Sequence, residues 1–344
     1  MDLPLPKSAA ISSDDRKVRD RFLIAFSKMY LFLVFAVIIL VGTFVSRFFL
    51  TPRNLVNIIT AASITSVLAV GQFFVIVTGG IDLSVGSLAA LSTVVSAILM
   101  ANHQSAGVAI LLTLLICGAV GLMNGLLVVY AGITPFIATL AMLSIVEGFS
   151  YIIQTGELIQ IADKGFAALF AGSLGPIPAP VVVFLIITAI AAFVMNNTTT
   201  GRELYAIGGN REAARLSGLP LSRDLLLAYV VSGFLAGLAG LMLAAQLLEG
   251  SSLIGQGYEL DSIAAVVVGG ASLFGGSGDP IRAVIGGLII ATILNIMNLM
   301  GIQSQPQLVI KGLVILIAVF FTSGTGLRGL LKTLRSRTRG SARA

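Results

Sequence analysis

Long runs of apolar residues, several near 20 residues and almost free of charge, constrain this 344-residue chain more than any other feature. About 20 consecutive apolar residues are what a helix needs to cross a hydrocarbon core. A soluble domain carries roughly 25% charged residues, whereas here only 10% are charged and the mean hydropathy is +1.03. Too little polar surface remains to coat a water-facing body. The fold class that follows is an all-α polytopic membrane protein.

Ten apolar segments are candidate transmembrane helices, at about 22–46, 55–78, 84–101, 106–130, 133–154, 179–196, 224–248, 259–275, 281–301 and 306–323. Glycines interrupt the runs around 55–84 and 259–281. The first segment is too long for the apolar region of a cleaved leader and is read as a span.

Basic residues fall in three clusters: Lys7, Arg16, Lys17, Arg19, Arg21 and Lys28; Arg202, Arg211, Arg215 and Arg223; and Arg328, Lys332, Arg335, Arg337, Arg339 and Arg343. Positive charge flanking spans marks the cytoplasmic side. All three clusters are therefore expected inside, which agrees with even numbers of crossings between them. The organisation expected is a cytoplasmic tail (1–21), a membrane domain (22–323) with a cytoplasmic loop at 197–223, and a basic cytoplasmic tail (324–344). The connection 156–178 falls outside, where "GFAALFAG" suggests a short surface helix or docking element, with a plain linker as the alternative.

Several functions are excluded or weakened. One cysteine, Cys117, and one histidine, His103, rule out a disulfide framework and a cluster of Cys or His metal ligands. No G-x-x-x-x-G-K-S/T is present, so the chain holds no P-loop for ATP. The absence of H-E-x-x-H and the isolation of its acids argue against an intramembrane enzyme. No cofactor, metal or nucleic-acid partner is expected, and the lipid bilayer is the solvent.

A faint internal echo links "GIDLSVGSLAAL" (80–91) with "YELDSIAAVVVGG" (258–270), and "GITP" (132–135) with "GIQSQP" (301–306). Two halves of five helices each would be inverted in the membrane, an arrangement that places a transport route at their interface.

Two polar places stand out. In the loop "TTTGRELYAIGGNREAARLSGLPLSRD", Asn210 can cap a short helix that Ser217 and Gly218 end. Ala213 and Ala214 could then lie in a partner's groove with Arg211, Glu212 and Arg215 at its rim; an ordinary amphipathic loop is the other reading. In "TGGIDLSVGS", Gly79, Gly80 and Gly86 permit a helix break, and Asp82 with Ser84 could cap the next helix. A carboxylate in a membrane segment also suits a pathway or gate. Asp261 and Ser262 are expected at the equivalent place in the second half.

Glu147 is expected to face a cavity or bond a neighbouring helix, and Asn124, Asn295 and Asn298 to meet a polyol or another helix. Gly121-x-x-x-Gly125 and Gly233-x-x-x-Gly237 allow close helix approach, expected within the fold. His103 reads as a solvated loop residue.

These motifs resemble a known family. E-A-A-x-x-x-G, here Glu212, Ala213, Ala214 and Gly218, looks like the coupling motif of ABC-importer permeases. "GRELYAIGGNREAARLSGL", "GGIDLSVGS", "ITPFIATLAML" and "YELDSIAAVVVGGASLFGG" are similar to the ribose, galactose and xylose group, in the same order from about 53 to 323. The resemblance implies a bacterial inner-membrane subunit of a monosaccharide importer, coupled through 197–223. Implied partners are a second permease copy, a separate or tandem ATPase that binds the ATP, and an extracytoplasmic sugar-binding protein. "FGGSGDPIRAVIGG" departs from the pattern at Asp279, Pro280 and Arg282. Two other functions remain open from sequence: a gradient-driven carrier using Asp82, Glu147 and Asp261, and a related permease for another small polar solute.

Overall fold

The computed structural model describes residues 31–322. The tails at 1–21 and 324–344, with their basic clusters, and the start of the first apolar segment lie outside the described residues.

Each of the ten apolar segments holds a helix. In chain order these are α1 (Leu31–Val45), α2 (Pro52–Ile76), α3 (Val85–Ala101), α4 (Ala106–Val129), α5 (Pro135–Gln154), α7 (Ala179–Asn197), α10 (Leu221–Leu247), α11 (Tyr258–Val268), α12 (Pro280–Leu299) and α13 (Ser304–Thr322). Between them lie α6 (Lys164–Ala171), α8 (Thr199–Gly209) and α9 (Arg211–Leu216). Among the described residues six helices, α2, α4, α5, α7, α10 and α12, are long and apolar enough to cross a membrane. Such a set makes a multi-pass, all-α membrane protein.

Prolines at the first turn start α2, α5, α7 and α12, where the missing N–H costs no intrahelical bond. The departure at Asp279-Pro280 is resolved this way: Asp279 Oδ1 accepts from Ile281 N at 2.7 Å and caps α12.

The helices form a core and a shell. Most of the spanning window of α2, 83%, is buried, against 22% for α4, so α2 lies at the centre and α4 has a wide lipid-facing side. The 27-residue α10 packs on α2, α3 and α4. Its contact with α4 uses both G-x-x-x-G motifs face to face: a Cβ on Gly233 would sit 2.5 Å from Cys117 O and 2.9 Å from Gly121 Cα. The two motifs serve internal packing, as expected.

Two predicted segments come out differently. The span expected at 259–275 is an 11-residue helix ended by Gly269 and Gly270; at 1.5 Å per residue it is only about 16 Å long. The loop 197–223 holds an unforeseen helix, α8, because Leu204 and Ile207 bury an apolar face that its glycine-rich sequence disguises. At 156–178 the short helix is present as α6, capped by Asp163 and anchored by buried Phe166 and Phe170. Four two-residue strands frame it, β1 (Ile159–Gln160) with β4 (Glu249–Gly250) and β2 (Ser173–Leu174) with β3 (Ile177–Pro178), both antiparallel.

Candidate functional site

The segment between α2 and α3 turns on Gly79, which has a φ of +81° that a side chain would strain. Asp82 follows it, fully buried. A buried carboxylate is tolerable only when its oxygens are bonded, and both are. Oδ1 accepts from Ser84 N at 3.0 Å and Ser84 Oγ at 2.6 Å; Oδ2 accepts from Ser232 Oγ on α10 at 2.8 Å.

The shell around it ties in further helices. Asn124 Nδ2 on α4 donates to Ser84 Oγ at 2.8 Å, and Thr139 Oγ1 on α5 donates to Ile81 O at 3.0 Å. Gln72 on α2, its amide oriented to suit both groups, donates to Asp82 O at 3.0 Å and accepts from Asp82 N at 3.2 Å. One interruption thus holds α2, α3, α4, α5 and α10 in register. The first turn of α3 is capped through Ser84 N in an Asx-type turn, and Ser84 itself makes no capping bond.

The second polar place is an elbow on the surface. Asn210 Oδ1 accepts from Ala213 N at 3.0 Å and starts α9, and Gly218, φ +77°, ends it. Arg215 grips Glu212 with two bonds, Nε to Oε2 at 3.0 Å and Nη2 to Oε1 at 2.6 Å, and holds the Glu212 carboxyl below its ordinary range. The alanine face divides: Ala213 is exposed, whereas Ala214 is buried with Ile207 and Leu225 in this chain's own core. Arg211, Glu212, Ala213 and Arg215 remain outward. Leu216 joins them, 74% exposed, a residue that the polar look of the loop concealed.

The elbow is rigid. Arg223 on α10 bridges Glu203 on α8 at 2.6 Å and Asp224 at 2.9 Å. It is also seated directly on two loops. Gly208 lies so close to Val77 O that any Cβ would overlap it, and that Cβ would stand 2.5 Å from Gly276 N. Gly276 N donates to Val77 O at 2.8 Å, and Tyr205 Oη on α8 donates to Gly278 O at 3.0 Å. Glycines 208, 275 and 276 therefore let three backbones touch: the end of α8, the interruption that carries Asp82, and the loop before α12.

Similarity to known proteins takes in this region and most of the chain. Residues 54–319 match the family described as branched-chain amino acid transport system / permease component. The chain belongs to this family. It is 38% identical over 300 residues to the D-allose transport system permease protein of Escherichia coli (strain K12), covering 87% of this chain and 92% of the relative. The ribose import permease protein of Bacillus subtilis (strain 168) is 38% identical over 290 residues, 84% of this chain and 90% of the relative. The L-arabinose transport system permease protein of Escherichia coli (strain K12) is 37% identical over 288 residues, with shares of 84% and 88%. No solved structure matches. The resemblance to sugar-type ABC permeases read from the motifs is borne out.

The remaining candidates scatter. Asp261 does not mirror Asp82: it lies inside α11, where Oδ2 pairs with Lys311 Nζ of α13 at 2.8 Å, and Ser262 Oγ donates to Glu259 O at 2.8 Å. Glu147 Oε1 accepts from Gln256 Nε2 at 2.9 Å. Asn295 and Asn54 exchange two bonds, at 2.9 and 3.0 Å, between α12 and α2. Asn298 Oδ1 accepts from Gln307 at 2.8 Å. His103 is exposed in its loop. Ser232, Gln72, Lys311 and Gln256 were missed because each gains its meaning only from a residue far away in sequence.

Proposed function

We propose that the chain is the membrane-spanning permease subunit of an ATP-driven importer that carries a monosaccharide into the bacterial cytoplasm. In this reading the ten apolar helices all take part in crossing the plasma membrane, as two inverted halves, with both termini and the elbow α8–α9 inside. A separate ATPase binds the ATP and grips the elbow through Arg211, Glu212, Ala213, Arg215 and Leu216. A second permease copy and an extracytoplasmic sugar-binding protein complete the machine. Relatives named for allose, ribose and arabinose transport support a sugar as cargo.

The observation that carries the reading is the backbone seat of Gly208 on Val77 and Gly276. A force applied to an exposed elbow clamped by Arg223 has no soft side chains to absorb it before it reaches two loops that interrupt the membrane helices. Asp82 then acts as the pin that keeps the struck loop joined to its helices, with Gly79, Gly80 and Ser84 shaping the turn.

Reconstitution tests this. The chain with its ATPase and binding protein should import sugar on ATP, and the chain alone should not. Glu212→Ala combined with Leu216→Ser should cut ATP-driven uptake by about tenfold or more and leave thermal stability unchanged. Uptake by the chain alone, driven by a proton or sodium gradient, would overturn the reading.

A further inference from the structure

Between α10 and α11 the backbone is irregular over 251–257, and it runs down the flank of α3. A Cβ on Gly250 would meet Thr93 O at 2.5 Å and Ala97 Cβ at 2.6 Å, in the second half of α3, while one on Gly255 would meet Gly86 O at 2.6 Å and Ala90 N at 3.0 Å, near its start. This descent of about two turns, roughly 10 Å, carries non-helical chain down into the layer that α3 occupies. Such backbone is tolerated at that depth only where protein buries it or where it lines a watery space.

It does line a space. Ser252 and Gln256 of this segment, Ser87 on α3, Glu147 on α5 and Glu259 on α11 border a cavity of about 330 Å³, at the small end of ligand sites. Gln256 holds one oxygen of Glu147, and the other has no hydrogen-bond partner among the described residues. Glu259 Oε2 accepts from Gly257 N at 3.1 Å and presses against Gly86. Among the described residues, the lining contains no cation. The nearby Lys311 is taken by Asp261 at 2.8 Å. Carboxylates, an amide and serine hydroxyls can all bond hydroxyl groups, and bonds from hydroxyls to carboxylates are the strong kind. An anion would meet two carboxylates with no cation in the lining to offset them.

We propose that this cavity holds a neutral, polyhydroxylated solute in transit, and that Glu147 and Glu259 turn anionic solutes away. The proposal rests on the importer reading above.

Ser252→Cys tests it in the full chain in lipid nanodiscs, where the buried Cys117 is silent. Cationic and anionic methanethiosulfonates are compared, with Gln104→Cys in the exposed outer loop as the reference. The expected result is reaction at Ser252→Cys with a cation-to-anion rate ratio about tenfold above the reference, falling towards it when Glu147→Gln or Glu259→Gln is added. No reaction at position 252, or a ratio equal to the reference, overturns the proposal. Gln256→Cys repeats the measurement should Ser252→Cys fail to insert.

In the assembled importer, a transported monosaccharide should slow labelling at 252 and its uronic acid should not. Sugar uptake without protection sinks the cavity and spares the importer. A cation-selective cavity in a machine that moves no sugar sinks the importer.

Discussion

Residues 77–84 and residues 251–257 both interrupt membrane helices beside α3, yet their polar side chains have opposite fates. Asp82 and Ser84 are turned wholly inward and bonded by Ser232 and Asn124. Glu147 and Gln256 bond chiefly each other and face a cavity. Where both oxygens of the carboxylate are answered from inside the fold, an interruption has become a joint. Where lone pairs are left over at a space large enough for a ligand, it has become a surface. Structural and functional polarity are told apart by the variants below, since a charge in an apolar sequence does not reveal by itself which kind it is.

The comparison can be broken by measuring stability, since a joint should be costly to damage and a surface cheap. Unfolding can be followed by the reaction of buried Cys117 with a fluorogenic maleimide as detergent-solubilised chain is heated. Asp82→Ala should have the largest effect. It strands the hydroxyls of Ser84 and Ser232 and the amide of Ser84, and each buried orphan costs about 1–3 kcal/mol. A loss of about 4 kcal/mol in total is expected, and Asp82→Asn should recover much of it. A shift too small to measure for Asp82→Ala would mean that the joint is held elsewhere.

Gly208→Val comes next. It adds carbons where none fit against Val77 O and Gly276 N, and overpacking of this sort costs about 1–3 kcal/mol. Because the strain falls on the seat between elbow and joint, ATP-driven uptake should fall further than stability does. Equal uptake in wild type and Gly208→Val would remove the mechanical link between them. Ser232→Ala should follow, at about 1–2 kcal/mol, because it leaves Oδ2 of Asp82 as a single buried acceptor.

What the sequence made legible has the same boundary as this ranking. Apolar runs announced the helices, because a period of hydropathy is local. Asn210 and Gly218 announced the ends of α9, because caps are local too. Asp82 was visible as an anomaly, but its partners Ser232 and Gln72 are ordinary residues that only the packing of α10 and α2 selects. The echo between Asp82 and Asp261 misled for the same reason: similar neighbours in sequence gave one a turn and hydroxyls, the other a helix and Lys311. Ala214 looked like a partner's contact and is core, since six residues of α9 have only one inward turn to offer and Ile207 and Leu225 fill its far side.

The smallest effect sharpens the contrast most. Gln256→Ala removes a bond made at an exposed amide, so water can replace it and the unfolding transition should move by less than about 0.5 kcal/mol. The same change frees both oxygens of Glu147 into the cavity and widens it. If the segment 251–257 is a surface for solute, uptake should change in half-saturation or rate although stability does not. If it is a second joint, the transition should drop as it does for Ser232→Ala, and uptake should fall only in proportion. The two outcomes lie on different axes, so a single variant assayed twice decides which kind of interruption the chain has placed beside α3.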